Sequence, residues 1–226
     1  MLSAVARTVV PVLGRLSVSL DDDVVLAPGS IVAPNHSSLV DPGVVLAALR
    51  GLGVEPVVLA TAGLWRIPVL GRALVREGHV PVRRGTERAA EALEAAAAAL
   101  AAGRVVVIYA EGRLPRHVDA ADSAPGPFRS GLARLAGAGA PVVPLGQAGA
   151  RRISSGSTAK QFAGLLTSPL RRPGLHVHVG APLRLTGDVD TATAQAHAAV
   201  TSAWRIAAGH LAARGGEPAR TDRPVG

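Results

Sequence analysis

The sequence predicts an α/β fold in which a largely parallel central sheet is flanked by helices. Short runs rich in Val and Ile alternate along the 226 residues with runs rich in Ala and Leu. This alternation is typical of a parallel sheet covered on both faces. Hydrophobic residues make up 48% of the chain and aromatic residues only 2%, so the core must consist of Ala, Val and Leu. The length suggests one domain that can bury a sizeable core.

The predicted elements follow from local signals. Strands are expected at residues 30–33, 56–60, 79–82, 104–110, 141–145 and 175–179. Helices are expected at residues 41–50, 69–77, 86–102, 130–138 and 189–214. Asp41 can cap a helix whose first position suits Pro42, and Gly103 occupies a helix-stop position. Residues 150–173 are interpreted as an irregular basic segment around the apolar stretch 162–166.

The N-terminus predicts a short amphipathic helix over residues 1–16. Apolar residues recur there at helical spacing, with an interruption at Pro11. The stripe could lie on a membrane or pack on the body of the protein, and the pattern leaves both open. Residues 17–214 form the predicted main domain, and residues 215–226 a disordered tail.

The charge distribution favours an anionic partner. The chain carries 24 basic and 16 acidic residues, a net charge of +8. Residues 151–226 hold ten of the basic and four of the acidic residues, and so carry +6 of that charge. Five aromatic residues offer almost no stacking platform, which disfavours nucleic acid and leaves an anionic membrane or an acidic carrier. We see no signal peptide and no apolar run long enough to span a membrane.

Several chemistries are excluded or disfavoured. With no cysteine, disulfides, thiolate nucleophiles and Cys-based zinc sites are excluded. P-loop and dinucleotide-binding glycine patterns do not occur, and a serine hydrolase using Ser37 or Ser38 lacks the nucleophile-elbow motif. His176 and His178 share one face of a predicted strand, interpreted as an exposed face rather than a metal site, since zinc usually needs a third protein ligand.

The strongest catalytic signal is the segment APNHSSLVD. A strand ends, His36 follows, and Asp41 comes five residues later at a helix start. A carboxylate on one ring nitrogen would fix the tautomer and stabilise the imidazolium, which leaves the other nitrogen to accept a proton from a hydroxyl. Taken alone, the pair could equally be a helix-capping Asp beside an ordinary His.

Three further segments follow in order. VPVRRG places arginines just past a strand, YAEGR places an acid, a glycine and an arginine past the next strand, and APVVPLG is a buried strand flanked by prolines. Arginines at strand ends can grip a phosphate in bidentate fashion, although each one alone could be a surface ion-pair member.

In this order, the segments resemble the four motifs of the glycerolipid acyltransferases, the family of 1-acylglycerol-3-phosphate (lysophosphatidic acid) acyltransferases. His36 and Asp41 resemble the first motif, the segment through Arg84 the second, Glu111-Gly112 the start of the third, and residues 141–146 the fourth. FRSG at residues 128–131 resembles the Phe-Lys-x-Gly segment after the third motif, and GAPL at 180–183 the late Gly-x-Pro segment. The resemblance extends from about residue 15 to residue 212.

The resemblance implies transfer of an acyl group from a CoA or acyl-carrier-protein thioester to a hydroxyl of a lysolipid, without a metal or other cofactor. His36 would be the general base and Asp41 its orienter. Arg84, Glu111, Gly112 and Arg113 would hold the acceptor head group. Location at the cytoplasmic face of the cell membrane, as a peripheral protein on an anionic surface, is expected.

The third motif departs from the family pattern, because Arg113 follows Gly112 directly where the family has a threonine. We expect Arg113, rather than Arg116, to take the place of the family's arginine, since Pro115 should carry Arg116 outward. This departure leaves two alternatives open: an acyltransferase for another lysophospholipid or tailoring acceptor, and a non-catalytic basic lipid-binding module on the same fold.

Overall fold

A mixed sheet of seven strands forms the centre of the computed structural model, which describes residues 1–22, 24–83, 89–114 and 123–215. Within these ranges the strands are β1 (Arg15–Leu20), β2 (Ile31–Pro34), β3 (Val57–Thr61), β4 (Val80–Val82), β5 (Val106–Val107), β6 (Val142–Ala148) and β7 (Gly174–Val179). Their spatial order is β1-β7-β6-β2-β5-β3-β4. All neighbours pair parallel except β6 and β7. The largely parallel sheet predicted from the sequence is therefore confirmed.

Helices cover both faces of this sheet. They are α1 (Leu2–Leu13), α2 (Asp41–Gly51), α3 (Pro68–Arg76), α4 (Ala89–Ala101), α5 (Gly131–Ala136), α6 (Thr158–Arg171) and α7 (Val189–Gly215). Short 3₁₀ turns occur at Ala62–Arg66 and Ala150–Arg152. α1 packs on α2, and α2 packs on β1 and β7, while α4, α5 and α7 belong to the opposite layer.

Successive residues of each strand point to opposite faces of the sheet, so the hydrophobic core is divided between the two helix layers. Val32 and Val143 face the side of α1 and α2, whereas Ile31 and Val142 face the side of α4, α5 and α7. All four are fully buried. The strands read as continuous apolar runs because both of their faces are covered.

Strand β1 was not predicted from the sequence. Its apolar residues alternate with Ser17 and Ser19, but that short pattern follows directly on the helical stripe of α1. α1 ends at Leu13, so the predicted helical segment is shorter than expected and its boundary at residue 16 falls inside β1. Pairing with β7, across more than 150 residues of chain, makes residues 15–20 a strand.

The interpretation of residues 150–173 as irregular is wrong, because residues 158–171 form α6. Ser157 caps the helix by accepting the N–H of Lys160. Pro169 lacks the N–H that would bond to the carbonyl of Leu165, and the hydroxyl of Ser168 donates to that carbonyl instead, at 2.8 Å. The side-chain bond makes the proline tolerable near the end of the helix.

The exposed strand face expected for His176 and His178 is also wrong. Both rings are buried, with 1% and 4% of their surface exposed. Nδ1 of His176 lies 2.7 Å from Oγ of Ser17, and Oγ of Ser19 bridges the two rings at 2.9 and 3.0 Å. The serines of β1, which the sequence did not identify as a strand, cover this face.

Of two further expectations, one is met only in part and the other falls outside the described residues. Of the strand expected over residues 104–110, Arg104 is exposed and only Val106–Val107 forms a strand, β5. The disordered tail concerns residues that, from 216 onward, lie outside the described ranges. No helix in the described ranges is both long enough and apolar enough to cross a bilayer.

Candidate active site

The site lies at the carboxyl edge of the parallel strands, where the loops after β2 and β5 meet. β2 ends at Pro34, His36 follows, and α2 starts at Asp41. Pro42 occupies the first turn of α2, where the missing N–H costs nothing. The chain therefore turns sharply enough to bring the aspartate back to the histidine.

His36 and Asp41 form the central pair of the site. Nδ1 of His36 lies 3.1 Å from Oδ2 of Asp41, whose side chain is fully buried, while 15% of the histidine side chain is exposed. Oδ2 also accepts the N–H groups of Ser37 at 2.5 Å and Ser38 at 2.7 Å. These bonds hold the carboxylate in place, so it can orient the ring through Nδ1 and leave Nε2 for proton transfer.

Asn35 and Gln147 lock β2 to β6 directly beneath this pair. The amide nitrogen of Asn35 donates to the carbonyl of Gln147, and its oxygen accepts the N–H of Gln147. The amide of Gln147 donates in turn to the carbonyl of Asn35, at 2.8 Å. Both side chains are buried, so this three-bond clamp sets the position at which His36 leaves the strand.

Glu111 supports the histidine from the neighbouring loop. Its Oε1 accepts the backbone N–H of His36 at 2.7 Å, and its Oε2 accepts that of Gly126 at 2.9 Å. Burial raises the pKa of this carboxyl above its usual range, although the two N–H bonds oppose the shift. The structure thus places Glu111 on the main chain of the turn that carries His36.

Gly112 and Arg129 meet beside Glu111. Gly112 has φ +70°, and a Cβ at this position would lie 2.8 Å from Cδ and 3.0 Å from Nε of Arg129. The left-handed backbone therefore favours a glycine, and the flexible side chain of Arg129 lies against it. Arg129 was noted in the sequence only as part of FRSG, and its proximity to Gly112 becomes visible only in the fold.

The other predicted binding arginines are placed differently. Arg113 is exposed and does not line the cavity described below. Arg84 and Arg116 fall outside the described residues. Of the predicted site residues within those ranges, the structure brings His36, Asp41, Glu111 and Gly112 together and leaves Arg113 outside the cavity lining.

Tyr109 and Arg151 were not predicted from the sequence. The Tyr109 ring lies 4.4 Å from the His36 ring, and its buried hydroxyl has no hydrogen-bond partner among the described residues. Burial raises the pKa of the phenol well above its usual value, so it stays neutral. Arg151 is buried behind the turn and donates to the carbonyl of Ser37 at 3.2 Å. Tyr109 opens the segment YAEGR and Arg151 belongs to no motif, but neither pattern reveals these contacts, because both join distant segments.

A cavity of about 780 Å³ opens onto His36. It extends from α1 past the strand ends to α4 and α5, and its walls are mostly apolar. Its polar side chains are His36, Thr61, His79, Tyr109, Arg129 and Ser130. Its size lies within the range of about 300–1,000 Å³ that small-molecule sites span. An apolar cavity with a histidine at one wall can take an aliphatic chain and place a reactive group beside the imidazole.

The geometry gives little support to a serine nucleophile or to a metal site among the described residues. The hydroxyl of Ser38 donates to the carbonyl of Ser154 at 2.7 Å, and that of Ser37 only approaches Oδ1 of Asp41 at 3.5 Å, so neither bonds to the imidazole of His36. Within the described ranges, no cluster of three or more His, Asp or Glu side chains could hold a metal ion.

The fold and site define a class of α/β enzyme with a His–Asp pair beside an apolar cavity, and comparison with known proteins identifies the family. The family model for acyltransferases matches residues 15–147, more than half of the chain. The chain belongs to the acyltransferase family, and the protein is an acyltransferase.

The fold is also similar to a solved structure, the 1-acyl-sn-glycerophosphate (LPA) acyltransferase PlsC from Thermotoga maritima. The TM-score is 0.67 at 15% sequence identity, and the match covers 97% of this chain and 80% of that one. At this identity the likeness shows a shared fold. The comparison with curated proteins found no match.

Proposed function

We propose that this protein transfers a fatty acyl group from acyl-CoA or acyl-carrier protein to a hydroxyl of lysophosphatidic acid or a similar phosphate-bearing lysolipid. The observation that carries the proposal is the His36–Asp41 pair at the wall of the apolar cavity. The place in phospholipid synthesis implied by this reaction is consistent with the name of the similar solved structure.

In the proposed reaction, His36 acts through Nε2. The imidazole takes the proton of the acceptor hydroxyl as its oxygen attacks the thioester carbonyl carbon. The C–S bond of the tetrahedral intermediate then breaks, and the proton passes from the imidazolium to the departing thiolate. Asp41, held by two backbone N–H groups, stabilises the imidazolium between these steps.

Arginines near Gly112 are proposed to hold the acceptor phosphate. Arg129 lies at the cavity wall, and Arg113 is exposed on the adjoining loop. A guanidinium can bind phosphate oxygens in bidentate fashion. The role that the sequence predicts for Arg84 remains part of this proposal.

We further propose peripheral attachment to the cytoplasmic face of an anionic membrane. α1 packs on α2 through buried residues that include Ala6 and Val10, but it leaves Val5, Val9 and Val12 exposed. One side of the stripe packs on the protein, and the exposed side is the part that we propose contacts lipid.

The test measures CoA release from an acyl-CoA with a panel of lysolipid acceptors, with the products identified by mass spectrometry. General-base catalysis contributes about 100- to 10,000-fold, so His36→Ala should lower kcat by that order while circular dichroism confirms the fold. A binding module would release no CoA with any acceptor. Wild-type rates in a folded His36→Ala protein would contradict the proposed base, and a different preferred acceptor would support the alternative lysophospholipid or tailoring role.

The expectation that no metal takes part stays a prediction with its own measurement. The proposed step uses an imidazole base rather than a metal-bound hydroxide. EDTA should therefore leave the rate unchanged. A loss of activity that one specific divalent ion restores would contradict it.

A further inference from the structure

Helix α6 exposes its apolar side chains to solvent, unlike an ordinary surface helix. Phe162, Leu166 and Leu170 recur at helical spacing and are 62%, 78% and 89% exposed. A helix of a water-soluble protein normally turns such a stripe towards the core. Here the stripe points away from the protein.

The packed side of α6 consists of small residues. A Cβ on Gly164 would lie 2.3 Å from the carbonyl oxygen of Ile153, and Ser168 is fully buried. Arg171 fastens the helix by donating to the carbonyl of Arg152 at 3.1 Å, while its other terminal nitrogen donates to the carbonyl of Gly164 within the helix at 3.0 Å. The helix backbone is thus held tightly against the protein, and this packing fixes the outward direction of the apolar stripe.

α6 lies beside the helix that borders the substrate cavity. It packs on α1, and Nη2 of Arg172 donates to the carbonyl of Pro11 at 3.2 Å. On α1, Val5 and Val9 line the cavity and are also exposed. α6 is therefore a direct neighbour of the helix whose apolar residues line the cavity that opens onto His36.

The segment that carries this stripe has charges of one sign only. Residues 150–187 contain no acidic residue. Lys160 is exposed near the start of α6, and Arg152, Arg171 and Arg172 are exposed near its end. Exposed Phe and Leu on one face, bordered by Lys and Arg, match an anionic bilayer surface in both polarity and charge.

We propose that α6 is a membrane-docking helix, which inserts Phe162, Leu166 and Leu170 into the interface of an anionic bilayer next to α1. It would hold the entrance of the cavity against the lipid surface from which an acyl acceptor must come. The proposal rests on the proposed function only in that it expects a lipid substrate.

The main test is partitioning of the full chain to phosphatidylcholine vesicles with and without phosphatidylglycerol, measured by sedimentation. Each fully inserted leucine contributes about tenfold to binding, so L166Q/L170Q should weaken it by about 10- to 100-fold. Lys160→Gln should weaken binding by about fivefold on the anionic vesicles alone. The matched control is Ile206→Gln, an exposed apolar residue of α7 in the opposite layer, which should bind as the wild type does.

A second measurement does not depend on the loss of binding. Phe162→Trp should add a fluorescence emission that shifts to the blue when anionic vesicles are present, after subtraction of the wild-type signal. Unchanged partitioning of L166Q/L170Q, no vesicle binding by the wild type, or no shift for Phe162→Trp would each overturn the proposal. A dimer in solution that L166Q/L170Q dissociates, with vesicle binding retained, would assign the stripe to a second copy of the chain and overturn it as well.

Activity separates this proposal from the proposed function. CoA release from a short-chain acyl-CoA with a soluble acceptor, without vesicles, should be unchanged in L166Q/L170Q. If the wild type shows no such release but binds vesicles through α6, the proposed function fails and the docking helix stands. If release is normal but α6 has no effect on vesicle binding, the docking helix alone fails.

Discussion

The turn between His36 and Asp41 is held by single side chains that hydrogen bond to the main chain. The carboxylate of Asp41 accepts hydrogen bonds from two backbone N–H groups of its own loop, and that of Glu111 accepts one from the backbone N–H of His36. A buried carboxylate left without these partners would be costly, so the turn and its charges stabilise each other. The imidazole is thereby positioned before any substrate binds, as the proposed proton transfer requires.

At the same scale, we expect Arg129 to contribute most to acceptor binding. A charge-assisted hydrogen bond is worth about 1.5–3 kcal/mol, so Arg129→Ala should raise the acceptor KM by about 10- to 150-fold and leave the acyl-CoA KM nearly unchanged. Arg113→Ala should act in the same direction but less strongly, because its side chain does not line the cavity. Arg205→Ala, an exposed arginine of α7, is the control.

Steady-state kinetics with varied acceptor checks this ranking. A larger effect of Arg113→Ala would favour the sequence-based assignment of the third motif over Arg129. No effect of either variant would mean that the acceptor carries no phosphate near this loop.

Among the elements, the close contact between β6 and α7 depends on Gly146, which has no side chain. A Cβ on Gly146 would lie 2.1 Å from the backbone of Ala203 and 2.3 Å from that of Trp204. The helix backbone therefore packs directly on the strand, and α7 can cover β6 and β7 closely. β6 also carries Gln147, so this packing supports the clamp beneath His36.

Gly146→Ala should force α7 away from the sheet. Overpacking typically costs about 1–3 kcal/mol, and a clash with rigid backbone belongs at the upper end or beyond. For a chain of this size, we expect a drop in Tm of about 6–12 °C, measured by thermal unfolding.

Gly209→Ala in the same helix provides the comparison, because a Cβ there meets nothing within 4 Å. It should raise stability by about 0.5–1 kcal/mol through helix propensity. Equal Tm changes for the two variants would show that α7 does not rest on Gly146.

For the whole molecule, the buried histidines between β1 and β7 link stability to pH. Burial first, and then the charges of His210 and Arg214, lower the pKa of His176 to about 4. The ring stacks on that of His210 with a centroid distance of 4.1 Å. The folded protein therefore keeps His176 neutral, whereas the unfolded chain protonates it near its ordinary pKa of about 6.5.

The folded and unfolded pKa values of His176 set the direction in which stability changes with pH. Because the unfolded state binds the additional proton, stability is full above about pH 6.5 and falls as the pH decreases towards about 4. Between pH 7.5 and pH 5 the loss should be about 2 kcal/mol, measured as the free energy of urea unfolding.

His176→Gln, which can still hydrogen bond to Ser17 and Ser19, should lack this part of the pH dependence. An unchanged slope would assign the effect to another group. His79 is the first to examine, because burial lowers its pKa as well.

By itself, the sequence determined the alternation of strands and helices and the His36–Asp41 pair. These features are local: a buried strand is a short apolar run, and a histidine five residues before a helix-starting aspartate needs only one turn of chain to meet it. The order of the four motifs along the chain also indicated the acyltransferase family, which the family match confirmed.

Only the tertiary structure decided the rest. β1 became a strand through pairing with β7, and that pairing buried His176 and His178. Gln147 and Arg129 joined the site through contacts that bring distant segments together. The outward stripe of α6 depends on which side of the helix fits against Ile153. Local periodicity carries no information about a partner segment far along the chain, so these features follow from close packing between elements and not from the pattern within any one of them.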